Sequence, residues 1–160
     1  MDKTFETLEK VISQHDIDAI QKIIIYQNDD GSYTAFGKYD IVKNSDGIYK
    51  VYIIGTHTVK DFYKLKNAVA WCSFDNRTLV KKANRLHQLD QMIFSMDTEI
   101  QLHSKLIKKS KDEESTLIYL SKLTQNKSKK RSFANEINDF IQDYQRWQTK
   151  MFNTKPGYWI

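Results

Sequence analysis

Residues 77–110 read RTLVKKANRLHQLDQMIFSMDTEIQLHSKLIKKS and carry a seven-residue repeat of apolar side chains. One series consists of Leu79, Leu86, Ile93, Ile100 and Ile107, and Leu89, Met96 and His103 each lie three residues after a member of it. This spacing, sustained over about five repeats, is typical of a helix that packs against another helix along one seam.

Residues 116–152 repeat the pattern in a second register. One core position holds Leu120, Ala134 and Ile141, and the other holds Leu123, Ile137, Tyr144 and Met151. Lys127 and Lys130 fall on the same seam, so we expect its middle to be polar. Residues 110–115 interrupt the apolar pattern, which indicates a helix–helix turn in which Asp112 or Ser115 caps the second helix.

Together the two segments predict a long antiparallel helical hairpin over residues 76–153. Each segment would be roughly 50–55 Å long at 1.5 Å per residue. A single hairpin of that length leaves apolar surface uncovered, so we expect a third helix or another subunit against it. The predicted seam consists of Leu79, Leu86, Leu89, Ile93, Met96, Ile100, Leu120, Leu123, Ile137, Ile141 and Tyr144.

The first half of the chain has a different residue composition, with signals for strands and turns rather than for long helices. Residues 22–54 are rich in β-branched and aromatic side chains and contain two turn sequences, Asn28-Asp29-Asp30-Gly31 and Asn44-Ser45-Asp46-Gly47, which predict three or four antiparallel strands. Residues 59–74 carry apolar side chains at helical spacing and predict a helix that covers the sheet. Asp75 or Asn76 would end this helix or cap the next one, and residues 5–12 predict a short amphipathic helix.

We therefore predict an α+β fold, in which a small antiparallel β-meander with covering helices precedes a coiled-coil-like helical hairpin. The predicted divisions are a head over residues 1–75, the hairpin over residues 76–153 and a tail over residues 154–160.

Composition narrows the class of protein. The chain has 160 residues, 25 Lys+Arg and 20 Asp+Glu, hence a net charge of +5. Residues 1–75 hold 9 basic and 11 acidic residues and residues 76–160 hold 16 and 9, so the excess positive charge lies in the second half. The only cysteine, Cys72, excludes an internal disulfide. With no membrane-spanning run and no signal sequence, we expect a soluble protein that is intracellular or assembled inside a cell.

Sequence motifs for catalysis are absent. The glycines form no phosphate loop, no serine nucleophile motif occurs, and Cys72 falls on an apolar helix face. Glu99 and His103 lie four residues apart and could share a cation, but the second long segment has no histidine. We therefore interpret His103 as a partly buried residue opposite Leu123 or Thr124, and predict no catalytic residue, no metal site and no cofactor.

Two lysine-rich clusters lie on the hairpin segments. Lys105, Lys108, Lys109 and Lys111 come before the predicted turn, and Lys127, Lys129, Lys130 and Arg131 come after it. Such clusters can neutralise nucleic-acid phosphates. The alternative, which the sequence favours, is a solvated helix face that is partly paired with the acidic residues Asp97, Glu99, Asp112, Glu113 and Glu114.

Aromatic residues near the carboxyl end suggest a partner-binding surface. Tyr158, Trp159 and Ile160 follow a Pro-Gly pair. They would either fold back on the hairpin or dock on a partner, and Trp147 is a further candidate contact.

Several segments resemble a known group of proteins. They are YKLKNAVAWC over residues 63–72 with Phe74-Asp75, LHQLD over residues 86–90, LHSKLIKKSK over residues 102–111, Glu136-Ile137-Asn138 and Trp147-Gln148. Over residues 25–152 these segments resemble small uncharacterised proteins of T4-like tailed phages of marine bacteria. The resemblance implies a phage context and carries over no site residues.

We therefore predict a non-enzymatic structural or interaction protein that acts through its helical hairpin and apolar surfaces. In the phage context it would be a virion component or an assembly factor, located in the virion or the host cytoplasm. Its partners would be itself or other phage structural proteins, with no membrane contact. The alternative is a nucleic-acid-binding accessory protein that uses the lysine clusters.

Overall fold

The computed structural model describes residues 25–152. Five strands come first: β1 (Ile25–Gln27), β2 (Tyr33–Ala35), β3 (Tyr39–Lys43), β4 (Tyr49–Ile53) and β5 (Val59–Phe62). Three helices follow: α1 (Leu65–Asn76), α2 (Val80–Lys109) and α3 (Glu113–Phe152). The predicted helix over residues 5–12 and the tail with Tyr158, Trp159 and Ile160 lie outside the described residues.

The strands form one antiparallel meander in which each strand pairs with the next along the chain. Both predicted turns are confirmed, because Gly31 and Gly47 take positive φ angles of 90° and 82°. In the second turn the Asn44 side chain accepts hydrogen bonds from the N–H groups of Asp46 and Ile48 at 2.9 and 3.0 Å. An asparagine that bonds its own turn in this way favours the hairpin before any tertiary contact forms.

The prediction of a single helix over residues 59–74 is wrong, because residues 59–62 form a fifth strand. Val59 lies opposite Tyr52, Phe62 lies opposite Tyr49, and Lys50 forms a 3.1 Å ion pair with Asp61 across the same ladder. Pairing with the open edge of β4 satisfies the backbone groups of both segments, and this gain outweighs the local helical spacing. The covering helix is therefore the shorter α1.

The core is continuous between the sheet, α1 and the base of the hairpin. Residues 67–74 of α1 are all buried, because the sheet lies on one side of this helix and the long helices lie on the other. The ring centroids of Tyr39 and Trp71 lie 5.9 Å apart, and those of Phe74 and Phe140 lie 6.1 Å apart. Core residues thus come from both sides of the predicted division at residue 76.

A tight reversal joins α1 to α2. The N–H of Thr78 donates to the carbonyl of Asp75 at 3.0 Å, and the N–H of Leu79 donates to the carbonyl of Phe74 at 2.8 Å. This is the Schellman pattern, with Thr78 at the left-handed position. The prediction that Asp75 or Asn76 caps α2 is wrong, since Leu79 takes that position without a side-chain bond and Asp75 accepts a hydrogen bond from the Tyr39 hydroxyl.

The antiparallel hairpin is confirmed, with α2 spanning 30 residues and α3 spanning 40. Asp112 caps α3, because its carboxylate accepts hydrogen bonds from the Ser115 N–H at 3.0 Å and the Ser115 hydroxyl at 2.8 Å. Of the predicted seam, Leu86, Leu89, Leu123, Ile137, Ile141 and Tyr144 are buried, and Leu79, Ile93, Met96 and Ile100 are half-buried.

One predicted seam residue, Leu120, is wrongly placed, and so is Met151 of the same heptad pattern. They are 47% and 51% exposed. The seam of α3 instead runs through Leu123, Asn126, Phe133 and Ile137, of which Phe133 is half-buried and the other three are buried. At 100° per residue, Leu120 lies to one side of the line through these four residues. The seam position that the apolar repeat assigned to other residues is taken by the polar Asn126.

Among the described helices, none has the length and hydropathy that a membrane span requires.

Candidate functional site

The hairpin extends well past the common core. From α2 the last residue packed in the core cluster is Ile93, and from α3 the first is Phe133. We call the intervening residues 94–132 the distal hairpin, and the structure describes all of them. Their buried side chains are those of His103, Leu123 and Asn126. This part of the molecule therefore rests mainly on contacts between its own two helices.

Polar side chains meet at the centre of the distal hairpin. Asn126 Nδ2 donates to His103 Nδ1 at 3.2 Å and to Glu99 Oε2 at 3.4 Å. The expectation that His103 is a partly buried interhelical residue agrees with this arrangement, although its partner is Asn126 rather than Leu123 or Thr124. No group of three potential metal ligands occurs within residues 25–152. These contacts fix the register of the two helices, because a slip would leave buried polar groups without partners.

Large apolar side chains are exposed on the same part of the hairpin. On α2, Leu102 is 52% exposed. On α3, Leu117 is 60% exposed, Ile118 is 50% exposed and Leu120 is 47% exposed. Sequence reasoning missed Leu102, Leu117 and Ile118 as surface residues. The available signal was that none of the three fits the heptad positions assigned to its helix.

The basic residues of the predicted clusters lie on the distal hairpin and are largely unpaired. Lys130 forms a 2.5 Å ion pair with Asp97 across the hairpin. Lys105, Lys108, Lys109, Lys127, Lys129 and Arg131 are exposed, and none of them forms an ion pair with a described residue. The expected pairing with Glu99, Asp112, Glu113 and Glu114 is therefore absent from this part of the chain.

Trp147 contributes to packing at the base of the hairpin. Its ring lies 6.0 Å from the Phe36 ring and beneath the Arg77 guanidinium, which is 4.4 Å from the ring centroid. The described contacts thus join α3 to the β2–β3 turn, where Phe36 takes a positive φ of 56°. This packing accounts for much of the Trp147 surface that the sequence assigned to a partner.

A separate cavity of about 260 Å³ lies where α1 begins, between Tyr63, Asn67, Asp90 and Phe94. Asp90 is buried, and its carboxylate accepts hydrogen bonds from the Tyr63 N–H at 3.0 Å and from Asn67 Nδ2 at 2.8 Å. Burial raises the pKa of Asp90, and these hydrogen bonds oppose that rise. The carboxylate thereby anchors the start of α1 to α2, which is a structural role.

Comparison of the chain with protein-family models, curated proteins and solved structures finds no match. The resemblance to phage proteins therefore stays a prediction. Function has to be argued from the geometry of the distal hairpin.

Proposed function

We propose that the protein is a non-enzymatic interaction protein whose distal hairpin binds another protein. The observation that carries this proposal is the set of four large apolar side chains, Leu102, Leu117, Ile118 and Leu120, exposed beyond the core. Burial of apolar surface stabilises association by about 25 cal/mol per Å², and leucine and isoleucine side chains supply most of that surface on a helix. The two paired helices present these side chains on the surface of the distal hairpin.

The buried ionisable side chains support a non-enzymatic role. Asp90 holds α1, the Tyr39 hydroxyl bonds Asp75, and Cys72 is buried with its thiol pKa raised by desolvation. A thiol with a raised pKa is a poor nucleophile at neutral pH. The contacts of these groups are thus packing and hydrogen-bonding contacts within the fold, which supports the proposal.

The phage context is part of the proposal and rests on the resemblance of residues 25–152. In that context the protein would be a virion component or an assembly factor made in the host cytoplasm. Mass spectrometry of purified particles from cells that make the protein tests this. Detection at the level of known shell or tail proteins supports a virion component, and absence at equal depth supports an assembly factor.

A second candidate function is nucleic-acid binding. It is favoured by six exposed basic residues, Lys105, Lys108, Lys109, Lys127, Lys129 and Arg131, which lack ion pairs within the described chain. Binding through such residues would weaken steeply with salt, because each neutralised phosphate releases counterions. Duplex and single-stranded DNA titrated between about 50 and 200 mM salt would reveal that dependence.

One experiment separates the two candidates. A photo-crosslinking amino acid is placed at Leu117 or Leu120 in the cells that make the protein, with Val42 on the sheet as a matched exposed control. Protein binding predicts adducts that protease digestion removes and nuclease leaves intact, formed from the two leucine positions and not from Val42. Adducts that only nuclease removes would overturn the proposal in favour of the second candidate.

A further inference from the structure

One face of α3 carries a charge pattern that is complementary to itself. Its residues follow one another at alternating intervals of four and three, so they form a single stripe along the helix. They are Glu113, Leu117, Leu120, Thr124, Lys127 and Arg131, and all six are exposed. We call this set the outer stripe. It begins with an acidic residue, continues with two leucines and ends with two basic residues.

The outer stripe is distinct from the hairpin seam. Leu123 and Asn126 face α2 and are buried, whereas Leu117 and Leu120 are 60% and 47% exposed. At 100° per residue the outer stripe lies roughly a quarter to a third of a turn around α3 from the seam. Neither α2 nor the sheet therefore covers these two leucines.

We propose that the outer stripe binds the outer stripe of a second copy of this chain in antiparallel orientation. This inference rests on the proposed function, because it names the protein partner. In an antiparallel two-fold interface, a residue that lies a given number of positions before the axis faces the second copy's residue that lies the same number of positions after the axis. With Leu120 at the axis, Glu113 and Lys127 lie seven residues to either side, so each Glu113 faces the partner's Lys127.

Leu117 and Thr124 fit that register to within one residue, whereas Arg131 lies eleven residues after the axis and has no counterpart on the partner's α3, which begins at Glu113. Leu117 lies three residues before Leu120 and Thr124 lies four residues after it, so leucine meets the methyl-bearing side of threonine near the axis. Glu113 and Lys127 are each about 10 Å from the axis at 1.5 Å per residue. The opposite, parallel orientation would bring Glu113 against Glu113 and Lys127 against Lys127, and like charges at an interface disfavour it.

The interface would be small, because it involves one stripe of one helix. Interfaces at the low end of the specific size range form transient complexes. We therefore expect reversible association that depends on concentration, which sedimentation velocity measures over a wide range of protein concentration. Wild-type protein should shift from monomer to dimer within that range.

Charge reversal provides the decisive test. Glu113→Lys and Lys127→Glu should each weaken the dimer about tenfold, because each variant creates two like-charge contacts across the axis. The double variant Glu113→Lys/Lys127→Glu restores opposite charges in every pair, so it should recover most of the lost affinity. Circular dichroism monitors folding of each variant, since Glu113 also favours the helix amino terminus.

Substitution at the axis gives an independent measurement. Leu120→Lys should weaken the dimer by about 30-fold or more, because it removes the central apolar contact and places two ammonium groups together. Met151→Lys is the matched control, because Met151 is 51% exposed on the same helix and lies outside both the outer stripe and the distal hairpin. It should leave the dimer unchanged.

The outcomes separate this inference from the proposed function. Two results together support the inference: Leu120→Lys weakens the dimer, and the double charge variant binds more tightly than either single charge variant. A monomer at every concentration overturns it, as does a double variant no stronger than the single ones. A monomer that nevertheless gives protein adducts from Leu117 overturns the second-copy inference alone, whereas nuclease-sensitive adducts alone overturn both.

Discussion

Thr78 has a backbone conformation that β-branched residues rarely adopt. Its φ angle is 59°, at the left-handed position that glycine usually takes after a helix. We expect Thr78→Gly to stabilise the protein by about 0.5–1 kcal/mol, because relief of backbone strain exceeds the added entropy of the unfolded chain. Urea unfolding measures the change in free energy.

Thr98→Gly is the control for that prediction. Thr98 is exposed within α2, so the same substitution should destabilise the protein by about 0.5 kcal/mol through lower helix propensity. If both variants destabilise the protein equally, Thr78 is not strained.

His87 gives the protein a pH-dependent stability. Its Nε2 donates to the carbonyl of Asp61 at 3.0 Å, and burial lowers its pKa below the ordinary value. The folded state therefore binds this proton less readily than the unfolded state does. The free energy of unfolding should fall as the pH drops below about 6.5, by at most ~1.4 kcal/mol per pH unit.

The difference between wild type and His87→Gln isolates this contribution. The raised pKa of Asp90 acts with the opposite sign, since a carboxyl that retains its proton in the folded state favours folding toward acid. Subtraction removes most of that effect because both proteins contain Asp90, and the part that remains is the interaction of Asp90 with the His87 charge, which lowers the pKa of Asp90. The free energies of unfolding of wild type and His87→Gln, measured between pH 5 and 7, should approach each other as the pH falls. A constant difference across this range would contradict the assignment.

At the scale of the element, the interhelical pair His103 and Asn126 is the polar part of an otherwise apolar seam. His103→Leu or Asn126→Leu alone removes one partner and should destabilise the protein by about 1 kcal/mol. The double variant removes both polar groups, so its stability should equal or exceed that of the wild type. A double-mutant cycle from urea unfolding measures the coupling, and strictly additive effects would exclude it.

The elements also show which features the sequence could reveal. The two turns, the antiparallel meander and the cap of α3 depend on residues close in the chain. Local chemistry predicted the turns and the meander and limited the cap to Asp112 or Ser115, of which the structure shows Asp112. The fifth strand could not be predicted in this way, because residues 59–62 gain their partner from β4 through tertiary pairing. Leu120 was misplaced for a related reason, since the seam passes through the polar Asn126, which an apolar repeat does not count.

At the scale of the whole molecule, the candidate site depends on where the core ends. The apolar repeat extends through both long helices, with a polar interruption at Lys127 and Lys130, and predicts that the helices pack against each other along their full length. In the structure the sheet and α1 bury only the base of the hairpin, and packing with the core cluster stops at Ile93 and Phe133. The basic clusters were found from sequence. The heptad spacing places Leu102, Leu117 and Ile118 off the seam, but only the position of this boundary shows that they lie beyond the core.

That boundary predicts uneven stability along the same two helices. Amides of the distal hairpin, residues 94–132, should exchange with solvent through local openings that cost about 2–4 kcal/mol less than those of α1 and the hairpin base, because few apolar contacts hold them. Hydrogen exchange followed by mass spectrometry at low protein concentration measures this difference. Uniform protection along α2 and α3 would contradict it. Raising the protein concentration should then protect residues 113–131 selectively, since a dimer stabilises the segment that it covers by mass action.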